Sequence, residues 1–153
     1  MRITLREVTA DNYYEVGLLT TNQDGKPTFD EEYICGNAVS IAESKFYPNL
    51  EPQAIYSDEE LIGFIMSGPY DRDQDNYWIM RFMIDYQHQG KGYGKKAFEA
   101  FLEQIRLREL VQELYLGLDE SNVRAIQLYT SCGFVNTGVV KDGEQVYVLH
   151  LSQ

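Results

Sequence analysis

The chain has 153 residues, 44% of them hydrophobic, which suits one globular domain over 1–153 and is too apolar for a disordered segment. Its 24 acids against 13 Lys and Arg leave a net charge of −11, which argues against nucleic acid as a partner. No apolar run approaches the roughly 18 residues that span a bilayer, and the opening MRITLREV lacks the apolar centre of a signal peptide, so a cytoplasmic protein without membrane contact is expected.

In chain order, Ile3 to Val8 alternates as a strand does, and Asp11 or Asn12 is placed to cap a short helix running to Leu19. Thr20 to Thr28, with Asp24-Gly25 and Pro27, is polar loop. Ile34, Ala38, Ile41 and Ala42 share one face of a second helix that stops near Pro48, with Gly36 weakening it from inside. Gln53–Ser57 and Leu61–Gly68 read as a hairpin around the acidic turn Ser57-Asp58-Glu59-Glu60. Pro69 to Asn76 is a polar connection carrying Asp71, Asp73 and Asp75.

The stretch that organises the chain follows, from Trp78 to Phe101. Aromatic and branched residues over Trp78–Ile84 predict a strand. Gln89 to Gly94, with glycines at 90, 92 and 94, predicts a tight loop. Gly94, Ala97, Phe98, Phe101, Leu102 and Ile105 then form one apolar stripe at helical spacing. A glycine loop leading into a helix N-terminus is an anion site, because the first helical N–H groups lack partners and the dipole is positive there. Lys91, Lys95 and Lys96 crowd this same end, and no acid lies between Asp85 and Glu99. A bound phosphate would turn their unfavourable interaction with the dipole into attraction.

A shorter strand, Glu113–Leu118, precedes the acidic LDESN and a helix from Asn122 to Cys132, with Gly133 as its left-handed cap. Phe134–Val140 and Gln145–Leu151 close the chain as a hairpin around Lys141-Asp142-Gly143-Glu144. The predicted order β α α β β β α β α β β gives an α+β fold: a mostly antiparallel sheet flanked by helices, with one parallel pair beside the glycine loop. Cys35 and Cys132 are isolated, without metal-ligand spacing, so free thiols and no metal are expected. His88 beside the loop reads as solvated and His150 on the last strand as structural.

Two motifs occur in a fixed order. The first is Gln89-x-x-Gly92-x-Gly94; the second is Asn122-x-x-Ala125-x-x-Leu128-Tyr129-x-x-x-Gly133-Phe134. Together they resemble the GNAT superfamily of acetyl-CoA-dependent N-acetyltransferases. Arg81-Phe82-Met83-Ile84-Asp85 and the LY…GF helix look most like its bacterial spermine/spermidine (diamine) acetyltransferases. The formal dinucleotide fingerprint Gly92-x-Gly94-x-x-Ala97 is set aside, since it belongs on the first strand of a parallel unit.

The resemblance implies a co-substrate, acetyl-CoA, and roles for particular residues. Backbone N–H groups of Gln89, Gly90, Lys91, Gly92, Tyr93, Gly94 and Lys95 would cradle the pyrophosphate. The strand would splay from its neighbour so that Phe82, Met83 and Ile84 pair with pantetheine, and an N–H of Phe82 or Ile84 would steady the oxyanion. Asn122 would contact the cofactor arm, or only cap its helix. Tyr129 would protonate the departing thiolate. The acceptor would be a small amine of the polyamine kind, met by Glu31, Glu32, Asp119 and Glu120. Family members commonly place an acid on the strand before the loop as general base, yet Trp78 and Met80 stand there; either deprotonation runs through water and other acids, with Asp119, Glu120, Glu31 and Glu32 as candidates, or the amine arrives neutral, and the base is unassigned. Members of the family are commonly dimers, a state this sequence leaves open. It also leaves open other amine acceptors and a non-catalytic acyl-CoA-binding module.

Overall fold

The computed structural model describes residues 2–69, 77–108 and 110–151. The connection carrying Asp71, Asp73 and Asp75 therefore lies outside the described residues. Strands β1 (Ile3–Glu7), β2 (Glu51–Ser57), β3 (Glu60–Pro69), β4 (Tyr77–Ile84), β5 (Glu113–Leu118), β6 (Val135–Lys141) and β7 (Glu144–His150) form one sheet. Helices α1 (Tyr13–Leu18), α2 (Asn37–Phe46), α3 (Tyr93–Arg106) and α4 (Val123–Ser131) fall in the predicted order. The strand sequence across the sheet is β1-β2-β3-β4-β5-β7-β6, antiparallel throughout except for the β4·β5 pair.

Two cores cover the two faces of the sheet. On one, the α3 stripe packs Ala97, Phe98, Phe101, Leu102 and Ile105 against Leu114, Leu116 and Leu118 of β5. Each large side chain buried there contributes roughly 1.5–3 kcal/mol of transfer free energy. On the other, Val16 of α1 packs with Ala54, Phe64, Met66 and Met83. The final hairpin turns through Asp142 (φ +52°) and Gly143 (φ +80°), the left-handed pair that a two-residue turn demands. Gly133 (φ +102°) ends α4 as its left-handed cap.

Three local expectations are corrected. Asn12 stands at the start of α1, but its side chain does not cap the helix. Its Oδ1 instead accepts the Thr9 N–H at 2.7 Å, and its Nδ2 donates to the Glu7 carbonyl, pinning the chain that leaves β1. Gly36 precedes α2 rather than weakening it from inside. The Thr28 carbonyl passes so close to Gly36 that a side chain there would collide with it. The buried positions of α2 are Asn37 and Ser40, while Ala38 and Ala42 are exposed. Hydrogen bonds outrank the apolar pattern here: Asn37 Nδ2 donates to the Val16 carbonyl at 2.9 Å and so joins α2 to α1.

Candidate active site

The site begins as a defect in the sheet. Among the described residues only Tyr77↔Leu114 and Trp78↔Tyr115 pair across β4 and β5, so beyond Trp78 the two strands part. The gap widens into a cleft of about 920 Å³ lined by β4 from Trp78 to Ile84, the glycine loop, α4, the α1–α2 loop and the β6–β7 hairpin. The organising strand, the glycine loop and the Asn122–Tyr129 helix all contribute to this one cavity.

At one end is the helix N-terminus. Gly92 at the N-cap of α3 has φ +84° and Gly90 has φ +77°, conformations that L side chains rarely adopt. A Cβ on either would meet nothing within 4 Å, so the loop backbone faces open space. The first helical bond runs from Lys96 N–H to the Gly92 carbonyl, at 3.4 Å. The N–H groups of Tyr93, Gly94 and Lys95 are thus left without an intrahelical partner. An open, glycine-lined cradle of donors at a positive dipole fits a phosphate. Lys95 lines the cleft and Lys91 is exposed to solvent beside it. The Gln89 side chain braces the loop against the end of β4, its Nε2 donating to the Ile84 carbonyl at 3.0 Å. Tyr93 lies edge-on to His88, with ring centroids 6.0 Å apart. His88 is therefore packed rather than solvated, with its side chain 13% exposed.

Along β4 the Met83 and Ile84 side chains are buried, leaving their backbone at the edge of the gap. The Phe82 ring meets Phe98 and Tyr129 edge to face. Tyr129 sits among Phe82, Phe98 and Phe134 and still lines the cleft. No hydrogen bond holds its hydroxyl among the described residues. Burial pushes the phenol pKa well above its ordinary value, with the nearby Cys132 thiol adding to the shift, so Tyr129 stays a neutral donor. Asn122 both caps and lines: its Oδ1 accepts the Ala125 N–H at 3.3 Å at the start of α4, leaving its amide donor for the cleft.

The predicted amine-binding acids are scattered. Glu31 does not line the cleft; its carboxylate accepts from Thr20 Oγ1 (2.6 Å), Thr21 N–H (2.9 Å), Thr21 Oγ1 (2.8 Å) and Thr28 N–H (3.2 Å). Burial raises its pKa, and these hydrogen bonds outweigh burial and lower it. Glu32, next in sequence, does line the cleft. Asp119 lies outside it and accepts the Ser121 hydroxyl (2.6 Å) and N–H (2.9 Å), which lower its pKa. Glu120 accepts from Gln145 Nε2 at 3.4 Å, joining the β5–α4 loop to the hairpin.

Three features of the cleft carry no clear mark in the sequence. Arg81 of β4 donates Nε to Cys35 Sγ at 2.7 Å and places Nη2 3.5 Å from Glu43, so it ties the sheet to α2. Trp78 stacks on Tyr115, with centroids 5.4 Å apart, and Lys141 Nζ lies 5.1 Å above the Trp78 ring. The third is Glu144 at the start of β7, whose pKa is raised by burial. Its only signal is faint, an acid at the end of a hairpin turn.

Comparison with known proteins agrees with this fold. Residues 8–134 match the acetyltransferase (GNAT) family. The chain is 33% identical to the spermine/spermidine N(1)-acetyltransferase of Bacillus subtilis (strain 168), over 99% of this chain and 100% of the relative. The crystal structure of spermidine N-acetyltransferase from Vibrio cholerae in complex with CoA and spermine superposes with TM-score 0.72 at 18% identity, covering 97% of this chain and 95% of that one. An aminoglycoside acetyltransferase in complex with coenzyme A superposes with TM-score 0.72 at 21% identity, over 97% of this chain and 95% of that one. At such identities these two structures speak for the fold alone. With a family match spanning most of its length and a full-length relative at 33% identity, the chain belongs to the GNAT acetyltransferase family.

Proposed function

We propose that this protein moves the acetyl group of acetyl-CoA to a primary amine of a polyamine such as spermidine or spermine. The observation that carries the reaction type is the slot between β4 and β5, with a glycine-lined helix N-terminus at its mouth and an unengaged Tyr129 hydroxyl inside. Donors at Gly92–Lys95 suit the cofactor phosphates, and the bare β4 edge suits an extended amide-bearing arm. Tyr129 supplies a proton donor for the sulfur that leaves.

The acceptor assignment is supported by the full-length relative, itself named a spermine/spermidine acetyltransferase, and by charge. Glu32, Asp142 and Glu144 line the cleft together with Arg81, Lys95, Arg124 and Lys141, so the pull on a cation comes from the whole protein's net charge of −11. Such a field draws in a multivalent cation over a range that salt screens at about 8 Å under physiological conditions.

Acetyl-CoA turnover against spermine, spermidine, a monoamine of similar length and an aminoglycoside tests this reading. Polyamine kcat/KM is expected to fall with ionic strength, more steeply for spermine than for the monoamine. Turnover of the aminoglycoside alone would move the acceptor class and leave the chemistry in place. Absence of CoA release with every amine would overturn the reading.

A further inference from the structure

We propose that Glu144 is the general base of acetyl transfer, receiving the amine proton from the side of the sheet opposite Tyr129. The inference rests on the acetyl-transfer reading above and supplies the base that β4 lacks, since Trp78 and Met80 line the cleft where an acid is otherwise sought.

Strand alternation places the two groups. Leu114, Leu116 and Leu118 of β5 are buried in the core that holds α3 and Tyr129, so Tyr115 and Gly117 face the other way. Gly117 pairs with Val146 of β7, and Glu144 lies two residues before Val146, on the same face as Gly117. Space confirms the register: a Cβ on Gly117 would come within 2.7 Å of Glu144 Oε1. Glycine weakens a strand interior, and here it leaves the floor on which the carboxylate rests. Tyr129 and Glu144 line one cleft from opposite faces, with the β4–β5 gap between them. A thioester carbonyl in that gap would have a proton donor on the sulfur side and a proton acceptor on the amine side.

Of the three acids that line the cleft, Glu32, Asp142 and Glu144, Glu144 alone stands on a strand, against Gly117. Among the described residues its carboxylate forms no hydrogen bond or ion pair, unlike Glu31, Asp119 and Glu120. The charged groups facing it are Arg81 from β4, Asp119 from the β5–α4 loop, and Lys141 and Asp142 from its own hairpin. Burial against the strand raises its pKa; Arg81 opposes this, and Asp119 and Asp142 reinforce it. The net upward shift brings its proton affinity closer to neutral pH, which favours a base.

In the transfer itself, the lone pair of a neutral amine forms the C–N bond at the thioester carbonyl carbon, and the C=O π pair moves to oxygen. Glu144 takes one N–H proton, the carbonyl re-forms, and the C–S bond breaks with its pair on sulfur. Tyr129 gives that sulfur its proton and recovers one from solvent, to which Glu144 returns its own.

Glu144→Gln keeps the shape and removes the base. With spermidine at saturation, kcat is expected to fall about 10²–10⁴-fold, with acetyl-CoA affinity and Tm unchanged. The acid limb of the wild-type kcat–pH profile should vanish. Gly117→Ala should lower kcat too, because the methyl displaces a carboxylate that is still present. Wild-type-like kcat with the limb intact would overturn the proposal. So would a loss confined to the amine KM, which makes Glu144 a cation-binding group. Absence of wild-type turnover would overturn the acetyl-transfer reading itself, a result separable from either of these.

Discussion

The Thr20 hydroxyl donates to the Glu31 carboxylate at 2.6 Å, and the Thr20 N–H donates to Asp85 at 2.9 Å, so one threonine ties the α1–α2 loop to the end of β4. Thr20 and Asp85 are both buried. The loop that walls the cleft is held by carboxylates turned inward.

Glu31→Gln should therefore act on stability. Its loss leaves the buried Thr20 hydroxyl poorly matched, at roughly 1–3 kcal/mol by the usual cost of a buried unmatched group, while the Thr28 N–H is exposed and can turn to water. The folded-state pKa lies below the unfolded one. The carboxylate's contribution is thus full above the ordinary Glu value of about 4.3 and fades as pH falls through the lowered value. Thermal melts should show a lower Tm for the variant at pH 7, with the difference closing in acid. Equal Tm at pH 7 would remove Glu31 from the loop's support.

Gly92→Val should weaken CoA binding without unfolding the protein. A Cβ at Gly92 meets nothing within 4 Å, so the branched side chain projects into the cradle. The φ of +84° adds backbone strain on the order of 1–3 kcal/mol. Calorimetry should report at least a tenfold loss of CoA affinity in a variant whose circular dichroism is unchanged. Wild-type affinity would place the phosphates elsewhere.

Tyr129→Phe keeps the ring contacts with Phe82, Phe98 and Phe134 and removes only the hydroxyl. Stability should barely move, while kcat falls about 10²-fold or more. Because burial raises the phenol pKa, no alkaline limb of kcat attributable to Tyr129 should be seen below about pH 10, its ordinary value. Full kcat in the variant would reduce Tyr129 to a packing residue.

Periodicity makes most of the architecture legible. The α3 stripe, the Glu113–Leu118 strand and both hairpins stand within a residue or two of expectation because each repeats a clear pattern or ends at a turn. The apolar pattern finds Ile34 and Ile41, which pack on the core, but takes in the exposed Ala38 and Ala42 and misses the buried Asn37 and Ser40, whose hydrogen bonds leave no apolar trace. The cleft divides in the same way. Gly92 and Tyr129 sit in local motifs, whereas Glu144 matters through Gly117, 27 positions earlier and adjacent only once β5 and β7 pair. Acid clusters point to Glu31, whose carboxylate the fold turns to its own loop.

The short register between β4 and β5 also divides the sheet mechanically. β1 to β4 form one antiparallel ladder and β5, β7 and β6 another, joined at Tyr77↔Leu114 and Trp78↔Tyr115 and by the helices packed across them. Widening the slot from Ile79 onward breaks no ladder hydrogen bond, so its compliance is set by side-chain packing around Phe98 and Tyr129. The stacked Trp78 and Tyr115 rings lie at the closed end of this seam, at its last cross-strand pair.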